Sequence, residues 1–255
     1  MRQAFKESLK SLAMFLSNNP LAKSYYKGQG VIFMLHDILH DTPKTLDPYC
    51  NPSMPFLDRF LIHLKQAGYA LVDLDEICAS LEQNKPLKNT THFTLDNGFT
   101  STYTNILPVF KAHNAPFTLY ITADDINKPG MLSLKQAQAK KPLCTIGGHA
   151  KTHPRLAKLR GKERALKEIK AGNALLKESL GVEVKHFAYP FGRMGDVGLR
   201  EVEVIKALGL KSAVTTRQET LFARHKDSLA CLPRIMLTQH MPLHGIWRSC
   251  KHKVA

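Results

Sequence analysis

HFTLDNGFTSTYTNILPVFKAHNAPFTLYIT, residues 92–122, contains one strand, one helix and a second strand. His92–Leu95 is a short strand-like run ending on a polar tip, Asp96-Asn97-Gly98, and Tyr103–His113 has the apolar spacing of a helix. Pro116–Thr122 is again rich in aromatic and β-branched residues. A strand joined to a second strand through a helix makes a parallel pair. The same alternation extends outward in both directions, with strand-like runs at Val31–Leu35, Ala70–Val72, Leu143–Ile146, His186–Tyr189 and Leu210–Val214. Helix candidates fill the gaps: Pro55–Ala67, Leu74–Leu81, Gly161–Leu180 and Leu199–Leu208. Gly68, Gly181 and Gly209 directly follow helical runs, where a left-handed cap is placed. Seven parallel strands connected in this way predict an α/β protein whose sheet closes, or nearly closes, into a barrel. No linker or repeat divides the series.

The 255 residues carry 36 Lys and Arg against 21 Asp and Glu, a net charge of +15, which points to an anionic partner: nucleic acid, acidic glycan or membrane. The basic residues are spread over helix faces, with denser groups at Lys151–Lys170 and Arg248–Lys253. They form no recognition helix or other nucleic-acid motif, so nucleic acid is set aside. Cys50, Cys78, Cys144, Cys231 and Cys250 are odd in number and scattered, which argues against a disulfide framework and fits a reducing compartment. Near the N-terminus the apolar run Leu12–Leu16 is shorter than the roughly 7–15 residues of a secretory signal. The expectation is a cytoplasmic protein without signal peptide or transmembrane helix, in peripheral contact with the inner face of the membrane. Phe5, Leu9, Leu12 and Leu16 form an apolar helical stripe, with Arg2, Lys6 and Lys10 off it. Such a helix can lie on an anionic membrane surface or pack on the domain.

Barrel enzymes carry their chemistry where strands end, and four polar clusters occupy such places. Thr94–Phe99 ends one strand with Asp96 and Asn97, residues that also serve ordinary turns. Ile146–Pro154 places His149 and His153 four apart, a spacing that directs two imidazoles at one metal if the backbone between them makes a helical turn. His36/His40 and His240/His244 share that spacing without the strand and glycines that precede His149. Phe187–Gly192 is a strand leaving through a Pro/Gly turn, and Val31–Asp37 delivers His36 to a strand end.

Taken in this order, the clusters resemble the polysaccharide deacetylases related to the nodulation chitooligosaccharide deacetylase, carbohydrate esterase family 4. Thr94–Phe99 is similar to its T-F-D-D-G-Y motif, Gly148–Pro154 to S-H-T-x-x-H-P, and Phe187–Gly192 to F-A-Y-P-Y-G. The similarity runs from about residue 30 to Leu232-Pro233-Arg234-Ile235 and on to residue 236. His36, at the end of an L-x-L-x-H-like strand, stands at the start of the domain rather than its end, as in the circularly permuted poly-β-1,6-N-acetylglucosamine deacetylases. His240 ends a weaker stretch of the same kind.

The resemblance implies a distorted (β/α) barrel of the NodB type with about seven parallel strands. It also implies a catalytic domain at 29–238, between an N-terminal basic amphipathic helix at 1–28 and a basic C-terminal tail at 239–255. The implied activity is metal-dependent removal of N-acetyl groups from an aminosugar in a polysaccharide, oligosaccharide or lipid-linked glycan precursor. His149 and His153 would hold a divalent ion, zinc before nickel, cobalt or iron. Asp96 would be the base, His36 the acid, and the Phe191 N–H part of the oxyanion site, beside Tyr189 and Pro190. Tyr189 stands where the family has an arginine, and Arg234 would orient Asp96 instead. The family's second aspartate, a metal ligand, is Asn97 here. An amide oxygen brings no negative charge, so weaker metal binding is expected. Three outcomes follow: a working enzyme with a looser metal, Asp96 recruited as ligand, or an inactive protein that binds an acetylated glycan.

Overall fold

The computed structural model describes residues 28–41, 51–139, 143–239 and 241. Apart from Gly28, Gln239 and Met241, the expected N-terminal helix and basic tail lie outside the described residues, as does His240. Among the described residues eight strands form one sheet: β1 Gly30–Leu35, β2 Ala70–Leu71, β3 Thr90–Leu95, β4 Phe117–Ile121, β5 Cys144–Gly148, β6 His186–Ala188, β7 Ser212–Val214 and β8 Ile235–Met236. All pair in parallel, in the order β7-β6-β5-β4-β3-β1-β8, with β2 on β3. One edge of β3 pairs with β1 over its full length, while β2 and β4 divide the other, at Thr90-Thr91 and Phe93–Leu95 respectively. Leu232 bridges the gap between β7 and the start of β8. Its N–H donates to Ala213 O at 2.8 Å and its carbonyl accepts from Thr215 N–H at 2.8 Å. The sheet thus curls into a distorted barrel, with β1, the first strand of the domain, between β3 and β8.

The helices are α1 Met54–Gln66, α2 Leu74–Glu82, α3 Leu107–His113, α4 Leu134–Gln138, α5 Lys162–Leu180 and α6 Leu199–Ala207. Ser53 caps α1 by accepting from Phe56 N–H, and Asp73 caps α2 by accepting from Glu76 N–H. Strand alternation sorts the residues of β1, β3 and β4 between two environments. Phe33, Phe93 and Phe117 pack outward with Phe60 of α1 and Phe110 of α3, with ring centroids 5.0–5.3 Å apart along the series. Their neighbours His92, Thr94, Thr118 and Tyr120 are buried on the other side, inside the barrel.

Three local features differ from the sequence expectation. The helix expected over Tyr103–His113 starts as a π-turn, Thr102–Ile106, and becomes α-helical only at Leu107. Pro108 in its first turn has no N–H for the normal ladder, so the preceding turn widens. α4 rests on a capping box between Ser133 and Gln136. The eighth strand, β8, is two residues long and follows Pro233, too short to stand out as a strand from sequence.

Candidate active site

Asp96 leaves the end of β3 and is 2% exposed; Arg234, just before β8, is 0% exposed. Arg234 Nη1 donates to Asp96 Oδ1 at 2.7 Å and Nη2 to Oδ2 at 2.8 Å, a bidentate clamp. Nη1 also donates to Thr94 Oγ1 at 3.0 Å and Nε to Thr215 O at 2.9 Å, and Thr94 in turn donates to Phe33 O at 2.8 Å. Both charges are therefore buried with partners, which is the condition for holding them there. Burial alone would raise the Asp96 pKa, but the guanidinium charge and its hydrogen bonds outweigh that and hold the carboxyl well below the usual range. Asp96 is a fixed anion with one lone pair left on each oxygen. His36, half-buried at the end of β1, has Nε2 3.9 Å from Asp96 Oδ2, too long for a direct hydrogen bond. Burial lowers the His36 pKa, and the nearby Asp96 charge works against that.

His149 leaves β5 behind two glycines that sequence alone does not explain. A Cβ on Gly147 would meet the Tyr120 ring at 2.4 Å, and one on Gly148 would meet Asn173 Oδ1 at 2.2 Å. His149 is 1% exposed, and its Nδ1 lies 2.7 Å from Ala188 O. A carbonyl only accepts, so Nδ1 carries the proton and Nε2 is left bare. That nitrogen lies 3.1 Å from His153 Nε2. The turn between the two is not the helical one that the four-residue spacing needs to bring both imidazoles together; Ala150 (φ 65°) and His153 (φ 59°) take left-handed conformations, and the rings meet all the same. Such strain persists only where the surroundings enforce it. The turn packs tightly on α5 at Gly172, where a Cβ would come within 2.7 Å of Ala150 C and Lys151 N. Burial lowers the pKa of His149 to about 3 and lowers that of His153.

Asn97 follows Asp96 with φ 73°, and its Oδ1 is buried with no hydrogen-bond donor among the described residues. An orphaned buried acceptor costs roughly 1–3 kcal/mol, and a ligand could recover it. Two imidazole nitrogens at 3.1 Å and a bare amide oxygen fit a divalent ion: two nitrogens about 2.0–2.1 Å from one metal stand about 3 Å apart. The donor set lacks a carboxylate, since Asp96 has both oxygens on Arg234. Among the described residues no group of three His, Cys, Asp or Glu side chains gathers for a metal.

The turn after β6 completes this wall. Phe191 adopts φ 63°, its ring centroid 5.0 Å from that of His153 and 3.9 Å from Arg155 Cζ. Its carbonyl accepts from Thr216 Oγ1 at 2.9 Å, while no described carbonyl takes its N–H. Pro190 is buried, and its carbonyl accepts from Gly192 N–H at 2.8 Å. Tyr189 must be corrected. It is 1% exposed and its hydroxyl donates to Ala230 O at 2.8 Å, so its ring is core and does not reach a substrate. Arg155 and Gly172 were missed from sequence. An interior glycine in the α5 pattern was the available signal for the second. Of the other spaced histidine pairs, His40 sits on the surface beside Asp41.

The polysaccharide deacetylase family profile matches residues 83–213, which hold Asp96, Asn97, His149, His153 and Phe191 and leave out His36 and Arg234. The deacetylase PplD of Streptococcus pyogenes, solved in complex with acetate, superposes with a TM-score of 0.76 at 23% identity, over 87% of this chain and 97% of its own. IcaB from Ammonifex degensii gives 0.74 at 24% identity, over 88% and 98%. A de-N-acetylase from Aggregatibacter actinomycetemcomitans gives 0.71 at 15%, over 86% and 99%. At these identities the structures share the fold. No protein of curated function matches the chain. With its profile match covering half of the sequence, the chain belongs to the polysaccharide deacetylase family.

Proposed function

We propose that the protein hydrolyses the N-acetyl group of an aminosugar in a polysaccharide, an oligosaccharide or a lipid-linked precursor of the cell envelope. The observation that carries this reading is the pairing of a clamped anion, Asp96, with His36 at 3.9 Å, beside the facing nitrogens of His149 and His153. Amide hydrolysis needs a base for water, a stabilised oxyanion and an acid for the departing nitrogen. Asp96 takes the water proton on a lone pair that Arg234 leaves free. His36 gives a proton to the nitrogen as the C–N bond breaks, releasing acetate and the free amine. The Phe191 N–H faces the developing oxyanion, held by the strained turn. Arg234 acts through Asp96, keeping it charged and oriented. His149, His153 and Asn97 would hold the divalent ion, zinc first, which when bound polarises the acetamide carbonyl and makes water more acidic.

Asn97 favours a second reading, an impaired deacetylase that binds an acetylated glycan without cutting it, because the site lacks the carboxylate that would anchor the ion. The basic balance supports a place on the inner face of the membrane, with the terminal segments against anionic lipid. Among the described residues no helix is long and apolar enough to cross a membrane. The function is tested by acetate release across chitooligosaccharides, lipid-linked aminosugars and nucleotide sugars, with metals added back. Release from at least one class that disappears in His36→Gln supports hydrolysis. Binding without release from any class supports the second reading.

A further inference from the structure

The loops after β5 and β6 form one hydrogen-bonded rim beside the candidate site. Arg155 Nη1 donates to Asp196 Oδ1 at 2.6 Å, and Arg200 donates through Nη1 to Leu159 O at 2.9 Å and through Nη2 to Leu156 O at 2.8 Å. On this rim Met194 is 82% and Leu199 85% exposed, while among the described residues the next large apolar side chain is Ile62 at 41%. Scattered exposed apolar residues are ordinary. Here the two occur five positions apart, Met194 on a tied loop that also bears Arg193 and Leu199 at the first residue of α6, and the facing segment presents Lys158 and Arg160 on its loop and Arg164 in the first turn of α5. The rim's acids offset only part of this charge: Asp196 is buried on Arg155, Glu201 is buried on Arg200 and Glu203 pairs with Lys162, which leaves the exposed Glu163 against Lys158, Arg160, Arg164 and Arg193. Aliphatic tips within a cationic surround are what an interfacial membrane contact requires.

We propose that this rim docks the protein on an anionic lipid bilayer, with Met194 and Leu199 entering the boundary between headgroups and acyl chains and Arg160, Arg164 and Arg193 facing lipid phosphates. Charge complementarity selects an anionic surface. The choice of Met and Leu selects lipid over a sugar chain, whose flat C–H faces pack on aromatic rings. His153 and Phe191 lie on the same two loops, so docking opens the cleft toward the bilayer. This shares the anionic membrane with the reading above but assigns contact to the barrel rim rather than to the terminal segments, and it does not depend on the hydrolysis.

The test is cosedimentation of the full chain with vesicles of phosphatidylcholine alone and of phosphatidylcholine with phosphatidylglycerol. Binding is expected only to the anionic vesicles and is lost as salt rises from about 0.1 M to about 1 M. Met194→Ser with Leu199→Ser should weaken it about tenfold, and Arg160→Glu with Arg193→Glu by more, with melting temperatures unchanged. If both double variants bind like the unaltered chain, the rim proposal fails and the terminal segments carry the contact. If the unaltered chain ignores anionic vesicles, both readings fail. Displacement of the unaltered chain and the Met194/Leu199 variant alike by a soluble polyuronate would also overturn the proposal, in favour of an acidic glycan.

Discussion

Inside the barrel, His92 and His186 place their ring nitrogens against the protein, whereas at the rim His149 spends one nitrogen and aims the other at His153. His92 Nδ1 lies 2.8 Å from Val72 O and Nε2 lies 2.9 Å from Thr118 Oγ1. His186 Nδ1 lies 2.8 Å from Ser212 Oγ, and its buried Nε2, with no hydrogen bond among the described residues, faces the Asp75 carboxylate at 3.4 Å. His149 is buried as deeply, yet its second nitrogen meets only another nitrogen, at 3.1 Å. Burial and residue type are the same in both regions. What separates His149 is the partner of its second nitrogen, another imidazole, the pairing that one shared ion would suit, where His92 faces a hydroxyl and His186 a carboxylate.

His149→Ala breaks the rim member of this comparison most severely. Acetate release should fall roughly a thousandfold or more, while His92→Ala, measured alongside, should keep the activity of its folded fraction and lose about 2–4 kcal/mol in urea unfolding. Equal activity losses in both variants would erase the distinction. Arg234→Met ranks next, because it leaves Asp96 buried without a partner. A loss of about 3–5 kcal/mol is expected, partly recovered by acidification that protonates Asp96.

The interior histidines also set a pH dependence. Burial lowers His92 and His186 to about 4, against 6.5 when exposed. Between those values the unfolded chain binds more protons, so stability is complete above about pH 6.5 and is lost as pH falls toward 4. His92 alone accounts for a loss on the order of 3 kcal/mol at pH 4. Urea unfolding at a series of pH values should show this slope flattened in His92→Gln.

Gly172→Ala tests whether the rim pair depends on its strained loop. Its methyl would press on the Ala150–Lys151 backbone, and the expected result is about tenfold lower metal affinity with about 1–2 kcal/mol of stability lost. Asn97→Asp should give the smallest effect, with metal affinity raised about tenfold by the added charge and stability nearly unchanged. Calorimetric titration with zinc measures both.

The barrel was legible because strand and helix periods alternate without interruption, and its seven longest strand-like runs lie where β1 to β7 form. Asp96, His149 and His153 stood out because they follow apolar runs at strand ends. Other parts of the site depend on contacts between distant segments. The clamp on Asp96 comes from Arg234, 138 positions away and beside a strand of two residues, and only the family resemblance, not the local pattern, pointed to it. Tyr189 looked like part of the substrate wall because it sits in a motif, but it turns into the core, where Ala230 O accepts its hydroxyl. The left-handed turn that joins the histidines fits only because Gly172 of another helix leaves room for it, which spacing along the chain does not reveal.

The central claim is that His149, His153 and Asn97 hold an ion that hydrolysis requires. Its most direct test is acetate release from an N-acetylated aminosugar substrate after chelator treatment and then with zinc, nickel or cobalt restored. The account predicts no release from the stripped protein, recovery with at least one ion, and no recovery in His149→Ala. Release that survives chelation, or silence with every ion while Asn97→Asp releases acetate, would contradict it.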